Sequence, residues 1–75
     1  MTGEEMKEAR RVLGRMWGKG RPLHGSELGR ALQMTGIDPG QSIRDYERGT
    51  TRISGPIATA VTMFLAGMLP PNGIP

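Results

Sequence analysis

The polar residues between Asp38 and Arg52 have types and a spacing that suit contacts with the edges of nucleic-acid bases. On a helix with 100° per residue, four of them share one face at positions i, i+3, i+4 and i+7, namely Gln41, Arg44, Asp45 and Arg48. In a major groove, a guanidinium can pair with guanine, an amide with adenine and a carboxylate with the amino group of cytosine. The same face could also be the ordinary solvated side of an amphipathic helix, so the rest of the chain has to distinguish the two interpretations.

The helix that would carry this polar face has its own start and stop signals. Asp38 can cap its N-terminus, Pro39 suits the first helical position, and Gly49 can end it. Ile43 and Tyr46 fall on the opposite face and would pack into a core. The pattern predicts a short helix with an apolar inner side and a polar outer side.

The composition excludes several classes of site. The chain has no Cys, so neither disulfides nor thiolate metal ligands can form, and this absence fits a reducing cytosol. The one His, His24, has no group of carboxylates beside it in sequence, so we expect no metal site. No Ser/His/Asp or Cys/His set and no glycine-rich phosphate loop can be assembled, so we expect no enzyme, no cofactor and no small-molecule substrate.

The charge of the chain is mildly basic and unevenly distributed. Ten Lys or Arg and seven Asp or Glu give a net charge of +3, which permits nucleic-acid binding without requiring it. Every charged side chain lies in residues 4–52, and residues 53–75 carry none. The first twenty residues are charged throughout, so we expect no signal peptide. A chain of 75 residues suits one small domain, which oligomerisation would help to stabilise.

Residues 2–17 predict a first helix with a capping box formed by Thr2 and Glu5. Its core stripe consists of apolar residues at helical spacing, namely Met6, Ala9, Leu13, Met16 and Trp17. Arg10 falls inside this stripe, where an unpaired guanidinium would be costly. Arg10 either extends its charge to solvent along an apolar stem or pairs with a buried partner, for which Glu47 is the best candidate.

Residues 18–25 predict a loop, because three Gly and one Pro interrupt any helix there. Lys19 and Arg21 are either solvated charges in this loop or contacts to phosphate.

Residues 25–35 predict a second helix, whose inner stripe is formed by Leu28, Ala31, Leu32 and Thr35. Gly29 inside a helix costs about 1 kcal/mol relative to Ala, so we expect another backbone to approach it closely. Gly36 would end the helix and leave only Gly36 and Ile37 as a link to the next one. Two short helices joined by such a tight turn would form a helix-turn-helix.

A charge-free segment predicts the fourth helix, from Pro56 to Met68. Its core stripe recurs at helical spacing and consists of Ile57, Ala60, Val61, Phe64, Leu65 and Met68. The opposite face has no charge either and is formed by Ala58, Thr59, Thr62, Met63 and Ala66. We interpret this face as a two-fold homodimer interface, since a membrane span would need about 20 apolar residues. Residues 70–75 predict a flexible tail after a domain formed by residues 1–69.

Taken together, these motifs resemble the Cro/Xre (phage-repressor) family of helix-turn-helix DNA-binding proteins over residues 2–67. The resemblance rests on Arg10 with Leu13-Gly14, on Glu27-Leu28-Gly29, on Ile43 with Tyr46-Glu47-Arg48-Gly49, and on Ile53-Ser54-Gly55-Pro56. It implies a compact all-α bundle of four or five helices, like that of lambda repressor. It also implies a homodimer that binds inverted half-sites on double-stranded DNA, in the cytoplasm and nucleoid of a bacterial or phage-infected cell.

The resemblance implies roles for individual residues as well. Arg10 and Glu47 match the family's buried ion pair. The residues that match base-facing positions are Gln41, Ser42, Arg44 and Asp45. Arg48 and Arg52 match positions near the DNA backbone. The chain departs from the family in the longer loop after its first helix and in Gly25, which stands where the family often has a phosphate-contacting Gln. It also departs in a second helix that runs about a turn longer before Gly36 and in a third helix whose start is one residue longer.

We therefore expect a homodimeric transcriptional repressor whose helix from Pro39 to Arg48 enters the major groove. The residues expected to contact phosphates are Lys19, Arg21, His24, Ser26, Arg48 and Arg52. Those expected at the dimer interface are Ala58, Thr62, Met63 and Ala66. The alternative is a protein-interaction module or antitoxin that binds a protein partner through the uncharged helix 56–68. The equal numbers of acidic and basic residues between Asp38 and Arg52 favour that alternative.

Overall fold

Four α-helices make up the regular structure of the chain, and the computed structural model describes all of residues 1–75. The helices are α1 (Gly3–Met16), α2 (Gly25–Ala31), α3 (Gly40–Arg48) and α4 (Gly55–Leu65). There are no strands, so the all-α class expected from the sequence is confirmed. None of the four helices combines the length and the apolar character that crossing a membrane requires.

The starts of α1 and α3 follow the capping signals in the sequence. The amide of Glu5 donates to Thr2 Oγ1 at 3.1 Å, and the amide of Thr2 donates to Glu5 Oε1 at 2.8 Å, which completes the predicted capping box. At α3, the amide of Gly40 donates to Asp38 Oδ1 at 3.0 Å. Pro39 already has helical backbone angles, φ −60° and ψ −22°, so Asp38 caps the helix that Pro39 opens.

Each of the four helices is followed, within two residues of its end, by a residue in the left-handed conformation. Three of these residues are glycines, namely Gly18, Gly49 and Gly67. The fourth is Gln33, with φ 60°, which follows α2. Its amide donates to the Arg30 carbonyl at 3.0 Å, and the amide of Met34 donates to the Gly29 carbonyl at 2.9 Å. These two bonds are the pair that closes a Schellman motif, so α2 ends here in a defined way although no glycine marks the place.

The predicted length of the second helix is therefore wrong. Residues 32–39 separate α2 from α3, so the predicted two-residue link is also wrong. Thr35 is exposed instead of contributing to an inner stripe, because the chain has already left the helix at Gln33. The fourth helix is shorter than predicted as well. It ends at Leu65, and Met68 is 53% exposed instead of buried in the core.

One core joins the four helices and the loop after α1. Its nine buried apolar residues are Met6, Ala9, Leu13, Leu23, Leu28, Ala31, Ile43, Val61 and Phe64. Phe64 also packs edge-on against the half-buried ring of Trp17, with ring centres 5.7 Å apart. The core therefore fixes α3 through a single fully buried side chain, Ile43, and the rest of that helix must be positioned by other contacts.

Glycines allow the backbones of neighbouring segments to touch at two places. A Cβ atom on Gly29 would lie 2.2 Å from the Pro39 carbonyl oxygen, which confirms the close backbone approach expected at this residue. A Cβ atom on Gly14 would lie 1.8 Å from the carbonyl oxygen of Arg21. Side chains at these positions would separate α2 from the start of α3, and α1 from the following loop.

The last ten residues turn back towards the loop after α1. Pro70 is buried, and the amide of Gly73 donates to the Pro70 carbonyl at 3.0 Å. Lys19 Nζ donates to the carbonyl oxygen of Pro75. The segment predicted to be a flexible tail thus has defined contacts with the domain in this structure.

Candidate nucleic-acid interface

The faces of α3 separate polar from apolar side chains as the sequence pattern predicts. Ile43 is fully buried and Tyr46 packs against the core. On the outer side, Gln41, Ser42, Arg44 and Arg48 are exposed and Asp45 is half-buried. The residues expected to face bases therefore lie together on one accessible surface.

The outer side chains of α3 are joined by hydrogen bonds. Gln41 Nε2 donates to Asp45 Oδ1 at 3.0 Å, and Arg44 Nη2 donates to Gln41 Oε1 at 3.2 Å. Arg44 Nη2 also donates to Asp38 Oδ2, and this bond is the main reason why the pKa of Asp38 lies below its ordinary value. We call these four residues, Asp38, Gln41, Arg44 and Asp45, the α3 polar network.

The α3 polar network leaves part of its hydrogen-bonding capacity unused. Arg44 donates to protein atoms only through Nη2, so Nε and Nη1 are free to donate to another molecule. The contacts to Asp38 and Gln41 restrict where the guanidinium can point, which reduces the entropy that ordering it would cost on binding.

Three other exposed polar residues at or near α3 have side chains without a partner in the protein. The side chains of Ser42, Arg48 and Arg52 make no hydrogen bond or ion pair, and all are exposed. Arg48 lies in the last turn of α3 and Arg52 lies in the segment that follows it. Two cations without acidic partners at this end of the helix are available to an anionic ligand.

One ion pair fixes α3 against the rest of the domain. Arg10 donates from Nε to Glu47 Oε2 at 2.7 Å and from Nη2 to Glu47 Oε1 at 2.8 Å. Its third nitrogen, Nη1, donates to the Leu23 carbonyl at 2.7 Å. The side chain of Glu47 is 10% exposed and that of Arg10 is 24% exposed. Arg10 is thus paired inside the core stripe, and most of its side chain is shielded from solvent.

Lys19 and Arg21 do not form a free basic arm. Arg21 donates to both oxygens of Glu27, at 2.8 and 3.2 Å, and Lys19 Nζ lies 3.5 Å from the same carboxylate. Glu27 is 6% exposed and also accepts the amide hydrogen of His24 at 2.7 Å. The bonds from Arg21, together with that amide and the nearby charges, lower the pKa of Glu27 to about 2 against the opposing effect of burial. The loop charges therefore attach the loop to α2, although both cations keep part of their surface in solvent.

Sequence reasoning missed this role of Glu27. The available signal was its position three residues after His24, which is the spacing at which a Glu side chain caps the amide that precedes a helix. The direction of the loop, which brings Arg21 to the carboxylate, follows from left-handed residues at Gly18 and Gly20 and has no equally clear signal in the sequence.

The start of α2 lies beside the start of α3. A Cβ atom on Gly40 would lie 2.8 Å from the Ser26 amide nitrogen, and His24, two residues before Ser26, is exposed. The structure thus brings His24 and Ser26 to the same end of the domain as the α3 polar network. Both could contact the phosphate backbone of a nucleic acid that α3 binds.

A second basic surface lies at the end of α1. Arg11, Arg15 and Arg21 line a cleft of about 270 Å³, together with Gly20 and Pro22. Arg11 pairs with Glu8, and Arg21 with Glu27, whereas Arg15 has no acidic partner. The cleft therefore keeps one unbalanced guanidinium at the end of α1.

The outer face of α4 is apolar and accessible. Thr62, Met63 and Ala66 are exposed and Ala58 is half-buried. The hydroxyl of Thr62 donates to the Ala58 carbonyl at 2.8 Å, so this polar group is satisfied within the helix. Beside this face, an apolar groove of about 350 Å³ runs between α4 and the end of α2.

The chemistry available on this surface is hydrogen bonding and charge pairing. No group of three or more His, Cys, Asp or Glu side chains is placed to hold a metal ion. No protein-family model, no curated protein and no solved structure matches the chain.

Proposed function

We propose that the protein is a sequence-specific, double-stranded DNA-binding transcriptional regulator, a homodimeric repressor of the Cro/Xre type. The observation that carries this proposal is the α3 polar network. It presents a guanidinium, an amide and a carboxylate on one accessible helix face, and these are the groups that distinguish base pairs in the major groove.

The packing of α3 supports a reading role. Ile43 and the Arg10–Glu47 pair fix its inner side, so its outer side chains project from a rigid element. Arg48 and Arg52 would contact phosphates at one end of the helix, and His24 and Ser26 at the other. Lys19 and Arg21 would add weaker contacts, because Glu27 already neutralises part of their charge.

The helix pair α2 and α3 would form the helix-turn-helix of a lambda-repressor-like bundle. These two helices pack directly on each other, with the backbone of Gly29 against that of Pro39. The turn, residues 32–39, is longer than in the tight form of the motif. The longer turn would change how far the start of α3 lies from the groove but leaves its outer face accessible.

Two copies of the domain would bind an inverted repeat through two-fold symmetry. The dimer contacts proposed are those of Ala58, Thr62, Met63 and Ala66 on the outer face of α4. This face has no charge to desolvate, and the hydroxyl of Thr62 already has a partner.

The test is selection of the purified protein against a randomised duplex library at about 0.15 M salt, followed by sequencing of the recovered pool. We expect enrichment of a motif with two-fold symmetry, whose half-site spacing would be about one helical turn or a multiple of it. A folded protein that enriches no motif would contradict the proposal.

One observation favours a second function, that of a protein-interaction module or antitoxin. Met63, Met68 and Leu69 are 44%, 53% and 63% exposed along the charge-free end of the chain. Such a surface suits an apolar protein partner. Retention on heparin separates the two functions, because a DNA-binding protein should require high salt for elution and an interaction module of this modest charge should elute early.

A further inference from the structure

The most exposed large apolar side chain in the protein is that of Ile37, which is 105% exposed. The other exposed large apolar residues keep between 39% and 63% of their surface in solvent. Ile37 lies in the turn between α2 and α3, immediately before the residue that caps α3.

No contact within the domain explains why an isoleucine stands at position 37. An apolar residue just before a helix cap often packs against the fourth residue of that helix, as a hydrophobic staple. The corresponding residue here is Ser42, which is polar and exposed. Ile37 also belongs neither to the core nor to the residues packed around it, and it lines none of the four clefts of the surface.

Ile37 directly precedes the first residue of the α3 polar network in the chain. The next residue, Asp38, accepts hydrogen bonds from the Gly40 amide and from Arg44, so Ile37 stands at the N-terminal end of the network. Recognition helices contact base edges mainly through this end. An apolar side chain there complements one feature of the major groove in particular, the C5-methyl group of thymine.

We propose that Ile37 is a specificity-determining residue that packs against a thymine methyl group in each half-site. The contact would add a requirement for thymine beside the bases read by Gln41 and Arg44. This inference rests on the proposed DNA-binding function and extends it to a residue outside α3.

The test compares wild type with Ile37→Ala on the motif recovered from the duplex library, by fluorescence anisotropy. Each thymine of one half-site is replaced in turn by deoxyuridine, which removes only the methyl group. At one position, the wild type should lose about fourfold in affinity, the value expected for one buried methyl. Ile37→Ala should bind the thymine duplex with an affinity at least about fourfold lower than that of wild type. Replacing the thymine at that position with deoxyuridine should not lower the affinity of this variant further.

Ile74→Ala is the matched control, because it shortens another exposed isoleucine, one that lies in the tail. It should behave as wild type on every duplex. If Ile37→Ala binds the motif as tightly as wild type, Ile37 does not contact a methyl group. The same conclusion follows if every deoxyuridine lowers the affinity of Ile37→Ala by the same factor as it lowers that of wild type. Those outcomes leave the proposed function intact, whereas a wild type that enriches no motif overturns both.

Discussion

Arg10 uses three nitrogens of one guanidinium to join α1, the following loop and α3. Each of the three nitrogens donates to an acceptor on a different part of Glu47 or to the Leu23 carbonyl. A charge at such a position is tolerated because each of its donors has an acceptor, and it becomes a liability when an acceptor is removed. The stability of the domain at residue scale should therefore depend more on a few paired charges than on the number of surface ion pairs.

Replacing Glu47 with Ala should destabilise the fold by about 3 kcal/mol, because it leaves the Arg10 guanidinium largely buried without its carboxylate. Chemical denaturation followed by circular dichroism measures this change in the free energy of unfolding. Glu8→Ala is the control, since it breaks an exposed pair with Arg11 and should change stability little. Equal stabilities for the two variants would show that the Arg10–Glu47 pair contributes no more than a surface pair.

Glu27 should make the stability depend on pH in the acid range. Its folded pKa of about 2 lies below the ordinary 4.5, so the unfolded chain binds a proton more readily than the folded one. The stabilisation is complete above about pH 5. It is lost as the pH falls towards about 2. Glu27→Gln should lower stability at neutral pH by about 1.5–3 kcal/mol, by weakening the bonds from Arg21, and should flatten the acid slope. A titration of unfolding free energy against pH that has the same slope in both proteins would rule out this role.

Arg44 provides the residue-scale test of recognition. Arg44→Ala should weaken binding to the selected motif by about 1–3 kcal/mol and relax the preference at one base pair, since the bidentate donor is removed. Its melting temperature should change little, because the side chain is exposed. Arg30→Ala removes the same charge from the exposed end of α2 and serves as the control for a general electrostatic loss. Equal losses in the two variants would show that Arg44 contributes charge alone.

At the scale of elements, the ends of the helices decide where α3 lies. Three helices stop at glycines in the left-handed conformation, whereas α2 stops at Gln33 in the same conformation. A residue with a side chain is strained there, and the strain is offset by the two hydrogen bonds that close the end of α2. The turn that follows sets the separation of α2 and α3.

Gln33→Gly should therefore raise the free energy of unfolding by about 1 kcal/mol, because glycine adopts the left-handed conformation without strain. Gln33→Ala removes the same polar group and keeps the strain, so it should give no such gain. Denaturant midpoints of the two variants against wild type make the comparison. A gain with Ala as large as that with Gly would assign the effect to the lost amide group instead of the backbone.

The helices α2 and α3 illustrate which features could be predicted from the sequence and which could not. The face of α3 was predictable, because its apolar and polar residues alternate at helical spacing and Asp38, Pro39 and Gly49 mark its ends. The partner of Arg10 was also predictable, because a charge inside a core stripe requires an opposite charge nearby. The end of α2 was not predictable, because Gln is not a residue that usually adopts the left-handed conformation. Gly36 is such a residue, and it indicated a helix end at the wrong place. The bonds from Arg21 to Glu27 depend on the path of a glycine-rich loop, which local sequence does not specify.

At the scale of the whole molecule, the uncharged outer face of α4 is the surface on which two copies would meet. Met63→Glu should abolish the proposed dimer, because it would bury two unpaired carboxylates across a two-fold axis. Met16→Glu is a matched control, since Met16 lies on α1 and is 45% exposed against 44% for Met63. Sedimentation velocity over a range of concentrations gives the oligomeric state of each variant. A Met63→Glu protein that still dimerises as the wild type does would place the dimer contact elsewhere.

The separation of charge along the chain also has a consequence for how the proposed complex would respond to ionic strength. Each copy carries a net charge of +3, all of it outside residues 53–75, so two copies would repel each other over a distance although the α4 surfaces proposed to meet are neutral. Salt screens this repulsion and favours association through the α4 face, whereas the same salt weakens phosphate contacts. Assembly and operator binding would thus respond to salt with opposite signs, and the occupancy of an operator at limiting protein concentration would pass through a maximum at an intermediate ionic strength.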